Sequence, residues 1–89
     1  MNVIECIRKF CDENSEKYSI YEGYSGRGMY GRRCLGIVVS HGYSYMDMLV
    51  KLTQYLDKNE CEDEELELEG VSVDELGLDI IIYFPKIES

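Results

Sequence analysis

The sequence predicts an α+β domain: a small, mainly antiparallel sheet of three or four strands covered by two helices, in the order α-β-β-α-(β)-β. Three observations carry this. Asn2 to Asn14 and the stretch that follows Ser44 repeat apolar residues at helical spacing. Arg33 to Ser40 and Asp79 to Phe84 are short apolar runs of β-branched and aromatic residues. Two amphipathic helices then supply the cover that an apolar sheet face needs, which makes two layers. The 89 residues suit one domain, and 45 % apolar content argues against global disorder.

The first helix opens at Asn2, a capping residue, with Glu5 three positions on as a capping box requires. Val3, Ile7, Phe10 and Cys11 form its apolar face; Arg8, Lys9, Asp12 and Glu13 lie largely opposite, and Asn14-Ser15 ends it. Lys17 to Tyr24 reads as a strand with tyrosine and isoleucine on both parities, so both faces are partly covered. In the second strand Leu35, Ile37 and Val39 point one way, and Cys34, Gly36 and Val38 the other. These two strands and the loop between them make a β-hairpin. His41-Gly42 is a turn. Ser44 caps the second helix, whose stripe is Tyr45, Met48, Leu49, Leu52 and Leu56, with Lys51, Gln54 and Asp57 facing water.

From Asn59 to Glu69 the chain is acidic. Leu66 and Leu68 alternate with glutamates, as in a short half-exposed strand, although a helix also suits this composition. Gly70 breaks the pattern. Asp79 to Phe84 is apolar on both faces and so belongs in the middle of the sheet, and Pro85 ends it. If the second helix is a right-handed crossover, the last strand lies parallel to the second and beside the first.

Charge is concentrated. Asp57 to Asp79 holds eleven acids and one base, a net of −10, whereas the rest of the chain sums to +1. Such a stripe repels nucleic acid and attracts basic surfaces. Carboxylates about 7 Å apart on one strand face approach the phosphate spacing of a nucleic-acid strand, so Glu62, Asp63, Glu64, Glu65, Glu67 and Glu69 are candidates to occupy a basic groove. The bland alternative is a solvated acidic loop that favours solubility. An EF-hand loop does not fit, because its glycine and spaced ligands are missing.

The hairpin loop interleaves Gly26, Gly28 and Gly31 with Arg27, Arg32 and Arg33. Glycines let successive N–H groups converge on an anion, and arginine adds paired donors. Met29 and Tyr30 at the tip add apolar contact. The alternative is an ordinary turn whose arginines are solvated or pair with the acidic stripe. The loop lacks the Lys-Ser/Thr of a Walker motif, and it joins two strands, unlike a dinucleotide fingerprint.

No catalytic residue, metal ligand set or cofactor is expected. His41 is the single histidine, no Cys-x-x-Cys pair exists, and no Gly-x-Ser-x-Gly elbow is present. Met1 to Phe10 lacks the apolar run of a signal peptide, and no stretch is long enough to span a bilayer. The expectation is a cytoplasmic protein with Cys6, Cys11, Cys34 and Cys61 reduced, the first three packing as small hydrophobes.

The segment Tyr21-Glu22-Gly23-Tyr24-Ser25-Gly26-Arg27-Gly28-Met29-Tyr30-Gly31 resembles a stretch in small uncharacterised proteins of phages and prophages of low-GC bacteria. In general character the chain also resembles anti-CRISPR and other anti-defence inhibitors. That resemblance implies a non-enzymatic inhibitor that binds a host protein with a basic nucleic-acid-binding groove, such as a CRISPR effector, and touches neither nucleic acid nor membrane itself. In this reading the six acids above fill the groove as a nucleic-acid mimic. Arg27, Met29, Tyr30, Arg32 and Arg33 make a second contact. Two other expectations stand beside it: an anion- or nucleotide-binding module using the hairpin loop, and a self-associating structural protein, for example a homodimer, whose arginines meet a neighbour's acids.

Overall fold

The computed structural model describes residues 3–25, 32–59 and 72–85. The elements are α1 (Val3–Glu13), β1 (Tyr18–Tyr24), β2 (Cys34–Val39), α2 (Tyr45–Lys58), β3 (Ser72–Leu76) and β4 (Asp79–Phe84). The strands form one antiparallel sheet in the order β1-β2-β4-β3.

Strand parity divides the interior in two. Leu35, Ile37 and Val39 of β2, with Ile82 and Phe84 of β4, meet the helices in the main core. There α1 contributes Val3, Cys6, Ile7, Phe10 and Cys11, and α2 contributes Met48, Leu52 and Leu56. Phe10 joins three elements: its ring stacks on Tyr18 of β1 at 5.6 Å and meets Tyr55 of α2 edge-on at 5.6 Å. The helix ends are satisfied locally. Asn14 Nδ2 donates to the Phe10 carbonyl at 2.8 Å, the Asp47 N–H donates to Ser44 Oγ at 3.3 Å, and Asn59 Nδ2 donates to the Tyr55 carbonyl at 2.8 Å. On the outer side Arg8 of α1 pairs with Glu22 of β1, both half exposed.

The opposite parity forms a second cluster of Tyr24, Cys34, Val38, Ile81 and Tyr83, to which neither described helix contributes. Gly36 sets how closely its strands' side chains interlock. A Cβ there would lie 2.9 Å from Ile81 Cδ1 and 3.1 Å from Ile81 Cγ1. The missing side chain is the space into which Ile81 folds.

Three expectations are corrected. The last strand is antiparallel to β2, not parallel, and it lies between β2 and β3, not beside β1. The crossover through α2 reaches β3, which runs parallel to β2 one strand further out, and β4 turns back into the gap. The third strand among the described residues is Ser72–Leu76; the strand expected around Leu66 and Leu68 lies outside the described residues, as does the Asn2 cap. The β3–β4 turn needs two residues, Gly77 and Leu78, and Gly77 takes φ 66°, the left-handed conformation that tight hairpins require.

Cys6 is the third correction. It is disulfide-bonded, and because Cys11 and Cys34 are free its partner sulfur lies outside the described residues. Linear sequence does not say which sulfurs a fold brings within bonding distance. Cys6, Cys11 and Cys34 are all buried, as expected of small hydrophobes.

Two predictions follow from this packing. Gly36→Ala should cost about 1–2 kcal/mol in urea unfolding, because Ile81 must leave its rotamer. Ile81→Val removes Cδ1, so the double variant should lose less than the two single losses together; strict additivity would refute the close approach. Unreduced protein in denaturant should titrate two thiols, and four after reduction. Four without reductant would refute the Cys6 linkage.

Candidate functional site

The tyrosine-rich second face is built by a bulge. Tyr21 and Tyr24 are three apart, so a regular strand would send them to opposite sides. Pairing with β2 shifts between Tyr21 and Tyr24, and Gly23 takes φ 75° there. Both rings consequently reach the same face and meet edge-on at 5.8 Å. The Tyr24 ring lies 5.0 Å from that of Tyr83, and its hydroxyl donates to Asp74 Oδ2 on β3. A side chain from one edge strand thus ties across the sheet to the other.

The environment holds that hydroxyl protonated. Its pKa is pushed up to about 12, first by burial, then by the hydrogen bond to Asp74 and the Asp74 charge, with smaller effects from Tyr83 and Cys34. Tyr24 is therefore a hydrogen-bond donor at physiological pH and not a base. The Cys11 thiol is pushed up to about 12 by burial and then by the neighbouring Asp12, and burial also raises Cys34. Neither is a nucleophile at neutral pH. Burial, then the hydrogen bond to Glu13 and its charge, raise Tyr55, which belongs to the α1–α2 contact.

The second feature is the corner formed by β3 and the start of β4. Val73 is 50 % exposed, Leu76 37 % and the turn residue Leu78 83 %, so apolar side chains stand in water beside the exposed Glu75. A hollow of about 370 Å³ is lined by Val73, Asp74, Glu75 and Ile80. Asp79 Oδ1 accepts the His41 N–H at 2.9 Å, which ties the β2–α2 turn to this corner. A second hollow of about 300 Å³, along Glu13 to Lys17, is lined by one continuous turn and gathers no side chains from separate elements.

The expected site residues divide sharply. Arg32 and Arg33 are exposed just ahead of β2, and the Arg33 Cδ lies 3.7 Å from where a Cβ on Gly23 would sit. Arg27, Met29, Tyr30, Glu62, Asp63, Glu64, Glu65, Glu67 and Glu69 lie outside the described residues. Leu35 pairs with Phe84 and Val39 with Ile80, so Arg32 and Arg33 stand at the opposite end of the sheet from Glu75 and Asp79. Ser44 is engaged as a helix cap and His41 is exposed. Among the described residues no three His, Cys, Asp or Glu side chains gather as a metal site requires, and no helix is long and apolar enough to cross a membrane.

No family model, curated protein or solved structure matches the chain. The residues that sequence reasoning missed are Tyr24, Asp74 and the β3 edge. Only the edge had a signal, the Gly77-Leu78 pair between Val73-Asp74-Glu75-Leu76 and the apolar run from Asp79.

The raised Tyr24 pKa makes stability depend on alkali. A tyrosine whose folded pKa exceeds its unfolded value contributes stability fully below pH 10, and that contribution is lost between about pH 10 and about pH 12. In ultraviolet titration, the difference between the natural chain and Tyr24→Phe should show one phenol ionising near pH 12. Asp74→Asn should bring that step to lower pH. A Tyr24 step at the ordinary tyrosine value would refute the cross-sheet bond.

Proposed function

We propose that this chain is a non-enzymatic inhibitor or adaptor of a mobile element that binds a host nucleic-acid-handling protein, of which a CRISPR effector is the leading kind. The supporting observation is the placement of charge: a net of −10 between Asp57 and Asp79 in a chain that is otherwise nearly neutral. The described part of this region is at the surface, with Asp57 and Glu75 exposed, and the Glu75 end carries uncovered Val73, Leu76 and Leu78. A partner's basic channel gains Coulomb attraction from such a region and loses access to nucleic acid. Glu62, Asp63, Glu64, Glu65, Glu67 and Glu69 would fill the channel. Arg32 and Arg33, at the other end of β2, together with Arg27, Met29 and Tyr30, would make a separate contact.

Action in the host cytoplasm is part of this reading. It requires that the Cys6 linkage be reduced there, since the cytosol keeps thiols reduced.

The experiment is a pull-down with tagged chain from nuclease-treated lysate of a low-GC host carrying CRISPR systems, across a salt series. The expected result is a nucleic-acid-binding protein that is lost at high salt and released by duplex DNA. Reversing Glu62, Asp63, Glu64 and Glu65 to lysine should weaken its capture about tenfold or more. Equal capture by the reversed chain would end this proposal.

A further inference from the structure

Among the described residues β3 pairs only with β4, and Val73 and Glu75 are exposed, so among them its outer side is an unpaired sheet edge. The register shows which backbone groups it presents. The turn bond of a two-residue loop makes Leu76 and Asp79 a hydrogen-bonded pair, and alternation extends this to Asp74 with Ile81 and Ser72 with Tyr83. The N–H and C=O groups of Val73 and Glu75 therefore point away from β4. The Glu75 N–H fits this assignment: it donates to Asp74 Oδ1 at 2.8 Å. The same Asp74 carboxylate accepts the Tyr24 hydroxyl through Oδ2, so it is fixed at the edge by two bonds.

We infer that this edge receives an extended basic segment of a partner protein as a fifth strand. The inference rests on the preceding reading that the acidic region meets a basic protein, and it names the form of the contact. Strand addition supplies main-chain hydrogen bonds to Val73 and Glu75, and side-chain sites at alternate positions supply selectivity. An apolar residue of the incoming strand covers the half-exposed Val73 and enters the hollow beside Ile80. Lysine or arginine at the alternate positions lies on the opposite face, meets Asp74 and draws its carboxylate off the Glu75 N–H, which frees that donor for the new strand.

Charge selects this occupant over copies of the same chain. A β3–β3 pairing brings Asp74 and Glu75 of one copy against the same acids of the other, and like charges across strands destabilise. The other edge strand, β1, carries Glu22 and no base, and its bulge at Gly23 interrupts the ladder that a visitor needs.

The test uses the full chain and a fluorescent nine-residue peptide alternating lysine and valine. Titration followed by amide resonances should move Val73 and Glu75 most. Val73→Pro removes an outward N–H that β4 does not use, a position where edge strands accept proline. It should weaken the peptide at least tenfold with an unchanged circular dichroism spectrum. A peptide of the same sequence and charge with alternate backbone nitrogens methylated should lose as much against the unaltered chain. Equal binding by Val73→Pro and by the methylated peptide would mean attraction by charge alone and would overturn the inference, as would shifts confined to residues outside β3. If no peptide binds while the salt-sensitive partner is still captured, strand addition fails and the proposed function stands. If the peptide binds through β3 while no such partner is captured, strand addition stands and the proposed function fails.

Discussion

The sheet has two apolar faces, and the described helices lie on only one, so much of the described structure turns on how the second face is packed. The central strands β2 and β4 are buried on both sides, and Cys34 and Ile81, on the side away from the described helices, are as inaccessible as the main core. Burying that surface contributes about 25 cal/mol per Å² of apolar area, so leaving it wet would forfeit much of what a small domain can gain. Among the described residues two local devices help to pack it. Gly36 gives Ile81 room to lie flat, and the Gly23 bulge turns Tyr24 inward, where its ring covers the cluster and its hydroxyl still finds Asp74. The hydroxyl bond is what makes this burial affordable, because a tyrosine buried without a partner would lose a hydrogen bond to water.

The same two devices make the two edges of the sheet unlike. The bulge that delivers Tyr24 also breaks the pairing face of β1, and the Arg8–Glu22 pair stands beside it. Bulges and charges of this kind blunt an edge against stray pairing. β3 has no bulge. Its protection is the Asp74 carboxylate, which occupies the outward N–H of Glu75. A carboxylate is a conditional guard: it repels acidic or neutral strands and yields to a cation. The bond from Tyr24 holds this guard in place, so the packing of the second face and the chemistry of the open edge share one side chain.

Periodicity made the helices and the two central strands readable, because each has a face that must be apolar. The helical spacing of Val3, Ile7, Phe10 and Cys11, and of Met48, Leu52 and Leu56, matches the residues that are buried, and the alternation in β2 divides correctly between the two clusters. β3 was not readable in that way. An edge strand exposed at Val73, Glu75 and Leu76 lacks a strong apolar pattern, and its best sign was the glycine at the tight turn. Missing it also misplaced β4, since the crossover rule was applied to the wrong pair of strands. The Tyr24–Asp74 bond joins residues fifty apart and has no local signature. The Cys6 linkage likewise depends on tertiary approach. Of the residues expected to bind a partner, only Arg32 and Arg33 fall among those described, so the acidic stripe is legible as charge in the sequence and not as geometry.

Long-range charge and a short open edge act on different parts of a binding event. A region of −10 steers a basic surface from beyond contact distance and raises the rate of encounter, an effect that fades as salt shortens the Debye length to about 8 Å at physiological strength. The proposed main-chain pairing at Val73 and Glu75 would act only after contact and would govern how slowly a partner leaves. Charge alone would capture any basic protein, and five residues of edge alone would bind weakly and with little choice. In the proposed binding mode, together they would restrict a partner to a basic surface that also offers an extended segment. In that proposal the guard formed by Asp74 joins the two requirements, because the charge that would attract a basic partner is also the charge that partner would have to neutralise before the edge could pair.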